Sequence, residues 1–332
     1  MRALVTGAAG FIGSNVVRAL LARGADVRAL HLPGENLRAL EGLDVERVAG
    51  DVTSRSDMSR AMRGREVVFH LAAVYALWTP DGGERMREVN VEGTRVVLET
   101  ARDAGVQRVV HTSSIARFGG QGMHRRATES SPFALGWTGD RYSASKNEAH
   151  ELAAEAAKTQ DVVIVAPCGP IGPGDVGPTP TGRLLLSAIT MPVVLVAPTL
   201  TNFIDVRDCA EGHVLAAEHG ERGETYLLGN RDLSMVEIAR LAMRAAGRRK
   251  PIVVAPFAAA ELAGSVARAW ASRVSRRAPM FTAEAVRIAR LGLRADCSKA
   301  VRELGLPQRP IEHAVADALA WFERHGYVRA AA

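Results

Sequence analysis

The chain opens with MRALVTGAAGFIG, residues 1–13, and this segment indicates the fold more strongly than any other. Arg2–Thr6 is an apolar run with the length and composition of a β-strand. A glycine-rich turn follows it directly, and a helical pattern then runs from Ser14 to Arg23. A strand, a glycine turn and a helix start in this order form a phosphate-binding crevice, because the first helical turn offers free N–H groups and the positive end of its dipole.

The glycines of this turn have the spacing G-x-x-G-x-x-G. We predict that Gly7 adopts an unusual φ, that Gly10 leaves room for a pyrophosphate, and that Gly13 lets the helix pack closely against the sheet. The stretch TGAAGFIG resembles the opening of the extended short-chain dehydrogenase/reductase family. The resemblance implies a Rossmann-type α/β fold, a doubly wound parallel sheet with a smaller, mostly helical C-terminal substrate lobe.

Further strands are predicted at regular intervals along the chain. The expected domains are a cofactor-binding domain, residues 1–167, to which residues 202–220 return, and a substrate lobe formed by residues 168–201 and 221–329. Between them, Pro167–Asp175 contains three prolines and three glycines, and we expect no regular structure there. The predicted strands are Val27–Leu32, Val45–Ala49, Glu66–Leu71, Val106–Thr112 and Asp161–Ala166.

The composition is that of an ordinary globular protein: 332 residues, 47% hydrophobic and 23% charged, with a net charge of +6. The positive charge is mostly scattered Arg, apart from Arg248–Lys250 and Arg273–Arg277, which favours a solvated surface over a nucleic-acid site. No signal peptide and no apolar run of about 18 residues is visible. We therefore expect no nucleic-acid partner and no stable membrane insertion.

Cysteine is rare, and Cys168, Cys209 and Cys297 are isolated from one another in sequence. This spacing argues against disulfides and against a metal site, and it fits a reducing cytoplasm. We expect a cytoplasmic protein without a metal.

The end of the second strand helps to choose between the two nicotinamide cofactors. An acid there binds the ribose hydroxyls of NAD, whereas a basic group suits the 2′-phosphate of NADP. His31 and Leu32 occupy this position, and the first acid is Glu35. We therefore favour NADP(H), with Arg28 or Arg38 as phosphate partners, and NAD(H) stays open.

Tyr142 and Lys146 are the most informative pair in the chain. Four residues apart on a predicted helix, they lie on one face. An ammonium beside a phenol favours the phenolate, so we expect Lys146 to lower the pKa of Tyr142 and make it a proton donor and acceptor. The strand that ends at Thr112 delivers a serine hydroxyl that can orient the substrate oxygen, and the family pattern aligns Ser114 with the catalytic serine and leaves Ser113 as the neighbouring candidate.

The resemblance adds roles to residues between these motifs. It implies that Asn90 supports the active site and that Asp51 and Val52 border the adenine. The alternatives are that Asn90 is a surface residue and that Asp51 caps the helix near Ser54. The residues expected at the cofactor are Gly7, Gly10, Phe11, Ile12, Gly13, His31, Arg38, Asp51, Val52, Leu71, Ala72, Ala73, Thr112, Ser113, Tyr142, Lys146, Pro167, Gly169 and Ile171.

The substrate candidates are largely apolar, which suits a ketone, an aldehyde, or a flavonoid-like or terpenoid molecule. The loop Val74–Trp78 supplies two aromatic residues. Phe257–Val274 reads as a helix that covers the substrate lobe, with a membrane-surface helix as the alternative. The residues expected at the substrate are Tyr75, Trp78, Ser114, Phe133, Tyr142, Cys168 and Phe203.

A narrower resemblance concerns Gly177–Arg183, GPTPTGR, and Ala300–Gly305. These segments look like the hopanoid-associated sugar epimerases, relatives of dihydroflavonol-4-reductase. We expect a nicotinamide-dependent oxidoreductase acting on a carbonyl or a secondary alcohol. A nucleotide-sugar epimerase or dehydratase is the alternative, and a non-catalytic dinucleotide sensor is the third hypothesis. The resemblance also implies a homodimer formed through the Tyr-Lys helix.

Overall fold

The computed structural model describes residues 1–76, 78–275, 279 and 281–328. The strands are β1 (Arg2–Thr6), β2 (Asp26–His31), β3 (Glu46–Ala49), β4 (Val67–His70), β5 (Arg108–Thr112), β6 (Val162–Pro167), β7 (Gly169–Ile171), β8 (Val194–Val196), β9 (Leu200–Asp205), β10 (Thr225–Leu228), β11 (Arg231–Ser234) and β12 (Ile252–Val254). The helices are α1 (Phe11–Leu21), α2 (Arg55–Met62), α3 (Glu84–Arg87), α4 (Gly93–Asp103), α5 (Ile115–Phe118), α6 (Arg141–Ala156), α7 (Pro180–Thr190), α8 (Val206–His219), α9 (Met235–Ala245), α10 (Phe257–Trp270), α11 (Ala283–Leu291), α12 (Ser298–Leu304) and α13 (Ile311–Arg324). Short 3₁₀ turns lie at Arg38–Leu40 and Gly136–Thr138, and π-helical turns at Glu88–Glu92 and Ala271–Ser275.

The central sheet has seven parallel strands in the order β10-β6-β5-β4-β1-β2-β3. The chain leaves β1 toward β2 on one side and later returns to β4 on the other. The strand order therefore reverses between β1 and β4, and a crevice opens outside the carboxyl ends of these strands. The predicted Rossmann-type fold is confirmed.

Helices cover both faces of this sheet. Successive residues of each strand point to opposite sides, and the apolar side chains on both sides are buried under helices. In β1, Val5 packs with α1 and α8, whereas Leu4 packs with α2, α4 and α6. Because both faces are buried, the strands read as continuous apolar runs, as in VVIVAP of β6.

A second, smaller core lies beside the carboxyl ends of the strands. β9 pairs with β11 antiparallel and with β7 parallel, and β8 and β12 form a separate parallel pair. Helices α7, α9 and α13 pack on this unit through residues such as Leu185, Ile238 and Val315. Among the described residues, none of the helices combines the length and the apolar character required to cross a bilayer.

Three local expectations need correction. The proline-rich segment contains the short strand β7, which is stabilised by pairing with β9. The strand near Asn202 belongs to the three-stranded sheet, and it is the following helix α8 that returns to the large sheet. β10, expected in the substrate lobe, is an edge strand of the large sheet, where it pairs with β6. Arg329, the last residue of the expected lobe, lies outside the described residues.

Candidate active site

The glycine turn between β1 and α1 is packed tightly against the end of β4. Gly7 has a φ of 65°, in the left-handed region that favours glycine. A Cβ on Gly7 would lie 2.8 Å from the Ala72 backbone nitrogen, and one on Gly13 would collide with the Gly7 carbonyl. Only glycine therefore fits at these two positions, as the sequence predicted for Gly7. Gly13 packs against the turn itself.

The start of α1 is available to a ligand. Gly10 precedes the helix and receives no side-chain cap from the described residues, and the first turn contains no acid. Gly10 and Phe11 line a cavity of about 320 Å³, together with Ala73 and Tyr75. Free N–H groups at a helix start, beside the reversal point of a parallel sheet, suit the phosphates of a dinucleotide. Of the other predicted turn residues, Ile12 packs against the core.

The opposite wall of this cavity is formed by residues 175–180 and Arg183, which the sequence analysis did not assign to the site. Asn15 Nδ2 donates to the Pro173 carbonyl at 3.3 Å, so this segment is anchored to α1. Asp175 is 2% exposed and accepts from the Thr179 N–H and hydroxyl, and burial raises its pKa to about 6. Thr179 followed by Pro180 is a helix-start signal that could have pointed to this segment.

Tyr142, Ser114 and Lys146 meet at the carboxyl end of β5. Ser114 directly precedes α5, and its hydroxyl accepts from the Ala116 N–H at 3.2 Å and also interacts with the Tyr142 phenol. Tyr142 and Lys146 are on α6, and Lys146 Nζ donates to the Thr112 carbonyl at 2.7 Å. The neighbouring Ser113 hydroxyl is buried without a hydrogen-bond partner in the described part of the chain.

The electrostatics of this group differ from the expectation. Burial raises the pKa of Tyr142 to about 12, although the hydrogen bond from Ser114 acts in the opposite direction. Burial also lowers the pKa of Lys146 to about 8. The expected lowering of the phenol pKa by Lys146 is therefore absent, because loss of hydration dominates both groups.

Asn90 is a buried residue, 2% exposed, so the surface alternative is wrong. It lies in the π-helical turn before α4. Its amide oxygen accepts from the Val74 N–H at 2.7 Å, and its nitrogen donates to the Val74 carbonyl and to the Ser145 hydroxyl, each at 3.0 Å. Asn90 thus fixes the loop that precedes Tyr75 to α6.

The end of β2 provides few free cations. Arg28 is held by Glu46 at 2.8 Å and by the carbonyls of Ala61 and Arg63. Arg38 is exposed in a 3₁₀ turn, and His31 Nδ1 contacts the Leu32 carbonyl at 2.9 Å. Arg38 is therefore the better placed of the two predicted phosphate partners.

Near the expected adenine position, Ser54 caps α2, so the alternative that Asp51 caps this helix is wrong. Asp51 instead accepts from Thr53 and pairs with Arg85 at 2.7 Å. Val52 is buried against Gly93. Leu71, Ala72 and Ala73 follow β4 at the crevice, and the Leu71 and Ala72 N–H groups donate to the Thr6 hydroxyl.

The substrate candidates divide into two groups. Tyr75 lies beside Tyr142, with 4.6 Å between ring centroids, and lines the cavity, whereas the partly exposed Trp78 and Phe133 are not among its described lining residues. Leu77 between the two loop aromatics lies outside the described residues. Cys168 and Phe203 are buried in hydrophobic cores, at 4% and 2% exposure, and neither lines the cavity.

Three cofactor candidates around the same strands are also internal. Pro167 ends β6, and Ile171 is 2% exposed and packs in the second core. Gly169 is in β7, and a Cβ there would lie 2.9 Å from the Phe203 ring. Their contribution to a site would come from the backbone.

The family model that matches residues 3–229 describes the NAD dependent epimerase/dehydratase family. The chain belongs to this family. The resemblance to the extended short-chain dehydrogenase/reductases is thereby confirmed. The protein is an oxidoreductase of the NAD dependent epimerase/dehydratase family, whose members depend on a nicotinamide dinucleotide.

Curated relatives align along almost the whole chain. A putative dihydroflavonol 4-reductase of Synechocystis is 39% identical, with 98% of this chain and 95% of the relative covered. Sterol demethylase protein B of Methylococcus capsulatus is 36% identical, with 99% and 100% covered. A farnesyl-quinoline-oxide ketoreductase of Stigmatella aurantiaca is 32% identical, with 96% of each chain covered.

Solved structures agree with the fold. The crystal structure of gox2253 has a TM-score of 0.86 at 34% identity, covering 99% of both chains. The dTDP-glucose 4,6-dehydratase DesIV of Streptomyces venezuelae, solved with NAD bound, has a TM-score of 0.79 at 26% identity, covering 98% of both chains. These structures share the arrangement of the central sheet and the second lobe.

Proposed function

We propose that the protein reduces a ketone or aldehyde, or oxidises the matching secondary alcohol, with Tyr142 as the proton-transferring residue. The observation that carries the proposal is the meeting of the Tyr142 phenol, the Ser114 hydroxyl and Lys146 at one strand end. Tyr75, whose ring centroid is 4.6 Å from that of Tyr142, lines the cavity at the glycine turn and links this group to it. A phenol, a hydroxyl and a buried amine at the mouth of a dinucleotide crevice are suited to proton transfer at a carbonyl oxygen.

Each of the three site residues has a separate role in the proposed reaction. Tyr142 gives its phenolic proton to the carbonyl oxygen during reduction and takes it back during oxidation. Ser114 orients that oxygen by a hydrogen bond. The nicotinamide supplies hydride transfer when bound, and the glycine turn and the start of α1 hold its phosphates. Lys146, whose pKa is lowered to about 8, is ready to exchange a proton near neutral pH.

We propose NADP(H) as the preferred cofactor. The carboxylate of Glu35, the first acid after β2, accepts from the Leu32 N–H at 2.9 Å and is engaged in the turn. Arg38 is exposed nearby and forms no ion pair within the described residues, so it can face a 2′-phosphate. This combination favours NADP(H) over NAD(H).

The proposed substrate is apolar. Tyr75 lines the cavity and packs beside Tyr142. Trp78 and Phe133, both partly exposed, remain candidates from the sequence. The names of two relatives, a sterol demethylase protein and a farnesyl-quinoline-oxide ketoreductase, support a terpenoid-like carbonyl compound. Cys168 and Phe203 are not part of this proposed pocket, because both are buried in hydrophobic cores.

A nucleotide-sugar epimerase or dehydratase is the second candidate. Arg183 lines the cavity beside Gly10 and Phe11, and a cation there suits the diphosphate of a nucleotide sugar. The two candidates differ in their use of cofactor. A reductase oxidises added NADPH in proportion to product, whereas an epimerase retains its cofactor without net consumption.

The test of the mechanism is Tyr142→Phe, which removes the hydroxyl alone. We expect kcat to fall by about 10² to 10⁴ while the Kd for NADPH is unchanged, because general acid–base catalysis contributes a factor of this size. Tyr226→Phe is the matched control, since its hydroxyl contacts the Glu221 N–H outside the site. Full turnover by Tyr142→Phe on a panel of carbonyl compounds would contradict the mechanism.

A further inference from the structure

Helix α10 carries an apolar stripe on its outer face. Leu262, Val266 and Trp270 follow one another at intervals of four residues, so they lie on one side of the helix. They are 69%, 63% and 61% exposed, and Val274 continues the stripe at 56%. Exposed apolar side chains in a continuous row are uncommon on a protein surface and indicate an interaction site.

The inner face of α10 is firmly attached to the fold. Gly264 allows close approach, since a Cβ there would lie 2.7 Å from the Ala283 backbone nitrogen. Glu261 pairs with Arg287 at 2.8 Å, and Arg268 pairs with Glu284. The stripe is therefore held outward by contacts on the opposite side.

The small sheet that leads into α10 extends this apolar surface. Leu195 and Val253 are register partners in β8 and β12, and they are 58% and 48% exposed. Val194 and Val196, which alternate with Leu195, are buried. β12 passes into α10 within two residues, and the Ala255 N–H donates to the Val196 carbonyl at 2.9 Å. The exposed side of the sheet and the stripe are thus neighbours along the chain.

A strongly basic cluster adjoins the other end of the same sheet. An open cavity of about 720 Å³ is lined by five cationic side chains and by Ile252 of β12. Arg244 and Arg249 are exposed and form no ion pair in the part of the chain that the structure describes. The five cationic residues are Arg240, Arg244, Arg248, Arg249 and Lys250.

We propose that this face, the α10 stripe with the β8–β12 sheet and the basic cluster, docks on the surface of an anionic lipid bilayer. The apolar side chains would enter the acyl boundary, and the arginines would meet the anionic headgroups. A nucleic acid would leave the apolar stripe uncovered. A second copy of the chain would bring more positive charge, since the net charge is +6. An anionic bilayer matches both properties.

The docking face also lies close to the candidate active site. Trp78 Nε1 donates to the Ser272 hydroxyl at 3.4 Å, which joins the loop after Tyr75 to the end of the helix. Arg273 is exposed there, while the following Arg276 and Arg277 lie outside the described residues. That an apolar substrate enters the crevice from the membrane rests on the proposed function. The docking itself does not depend on it.

The experiment is co-sedimentation of the full chain with vesicles of phosphatidylcholine and phosphatidylglycerol, compared with phosphatidylcholine alone. We expect binding to the anionic vesicles that weakens with salt. The double variant Leu262→Ser/Val266→Ser should lower the partition coefficient by at least about 10-fold, because two apolar side chains no longer insert. Arg244→Gln/Arg249→Gln should lower it by about 5-fold for each charge.

The control variants remove exposed apolar or charged side chains outside the proposed docking face. Val301→Ser removes an apolar side chain that is 40% exposed, and Arg63→Gln/Arg125→Gln removes two exposed charges. Circular dichroism verifies the fold of each variant. Absence of binding to anionic vesicles, or an equal loss in the controls, would overturn the proposal. So would a dimer in light scattering that dissociates in Leu262→Ser/Val266→Ser, since the stripe would then be covered by a second copy.

Discussion

At the scale of single residues, burial controls the chemistry of Tyr142 and Lys146. Loss of hydration favours the neutral form of both groups, so it raises the pKa of the phenol to about 12 and lowers that of the ammonium to about 8. The spacing of four residues on a helix correctly predicted a shared face. It could not predict the loss of hydration, which depends on packing by distant segments such as Tyr75.

Lys146→Met should therefore stabilise the free protein while abolishing activity. In the folded state the pKa of Lys146 is about 8, against 10.5 in the unfolded chain, which disfavours folding by about 3 kcal/mol at neutral pH. The lost bond to the Thr112 carbonyl offsets about 1 kcal/mol. We expect a net gain of about 2 kcal/mol at pH 7 in urea unfolding.

The direction of the pH dependence of this gain follows from the lowered pKa of Lys146. Between pH 8 and 10.5 the unfolded lysine is still protonated while the folded one is neutral, so the wild type gains stability as pH rises. The advantage of Lys146→Met should accordingly shrink across this window. A gain that is constant with pH, or a loss at pH 7, would show that Lys146 is not buried as an amine.

At the scale of elements, the glycine turn is fixed by contact with β4 as well as by its own backbone. Gly7 and Gly24 lie just before and just after α1, with φ values of 65° and 71°. A Cβ at Gly7 meets the Ala72 backbone, whereas one at Gly24 meets no atom of the described residues within 4 Å. The two positions therefore separate backbone strain from crowding.

Gly24→Ala should cost about 1 to 2 kcal/mol of unfolding free energy, the typical penalty for an L-residue in the left-handed region. Gly7→Ala should cost clearly more, because strand β4 must also move, and it should weaken NADPH binding in a fluorescence titration. Equal losses of stability, with cofactor binding intact in both variants, would mean that the turn does not press against Ala72.

The sequence predicted the elements of the large sheet to within a few residues, because strands buried on both faces are continuous apolar runs. The sequence did not predict elements whose secondary structure depends on pairing with residues distant in the chain. β7 has three residues, Gly169–Ile171, between prolines, and no local pattern marks it as a strand. The same limit applies to Asp175 and Arg183, which reach the cavity only because their segment folds over the glycine turn. The sequence could predict that Tyr142, Lys146 and Ser114 come together, because they lie at fixed offsets from recognisable elements; their catalytic role stays a prediction.

At the scale of the whole molecule, buried histidines lie on both sides of the large sheet. His70 is in β4, His150 in α6 and His213 in α8. Burial lowers the pKa of His70 to about 3 and those of His150 and His213 to about 4. In the unfolded chain these groups take up protons near pH 6.5, so the stability that they provide above this pH is lost as the pH falls toward 4.

We expect the free energy of unfolding to fall steeply from pH 6.5 to pH 4. His150→Leu should reduce this loss by about 3 kcal/mol, which corresponds to its shift from 6.5 to about 4. His219→Gln is the control, since this histidine is exposed in the same protein. Urea unfolding at several pH values measures the effect, and parallel curves for the wild type and His150→Leu would contradict it.

The position of β10 beside β6 has a consequence for synthesis on the ribosome. A nascent chain that has emerged only to Pro167 displays β6, an apolar strand, as an open edge ready to pair with other molecules. That edge is closed only after Thr225–Leu228 has been translated, once the first part of the second lobe has passed. Cutting the chain at one point therefore does not separate the large sheet from the second lobe. Misassembly is most favoured while the residues between β6 and β10 are being translated.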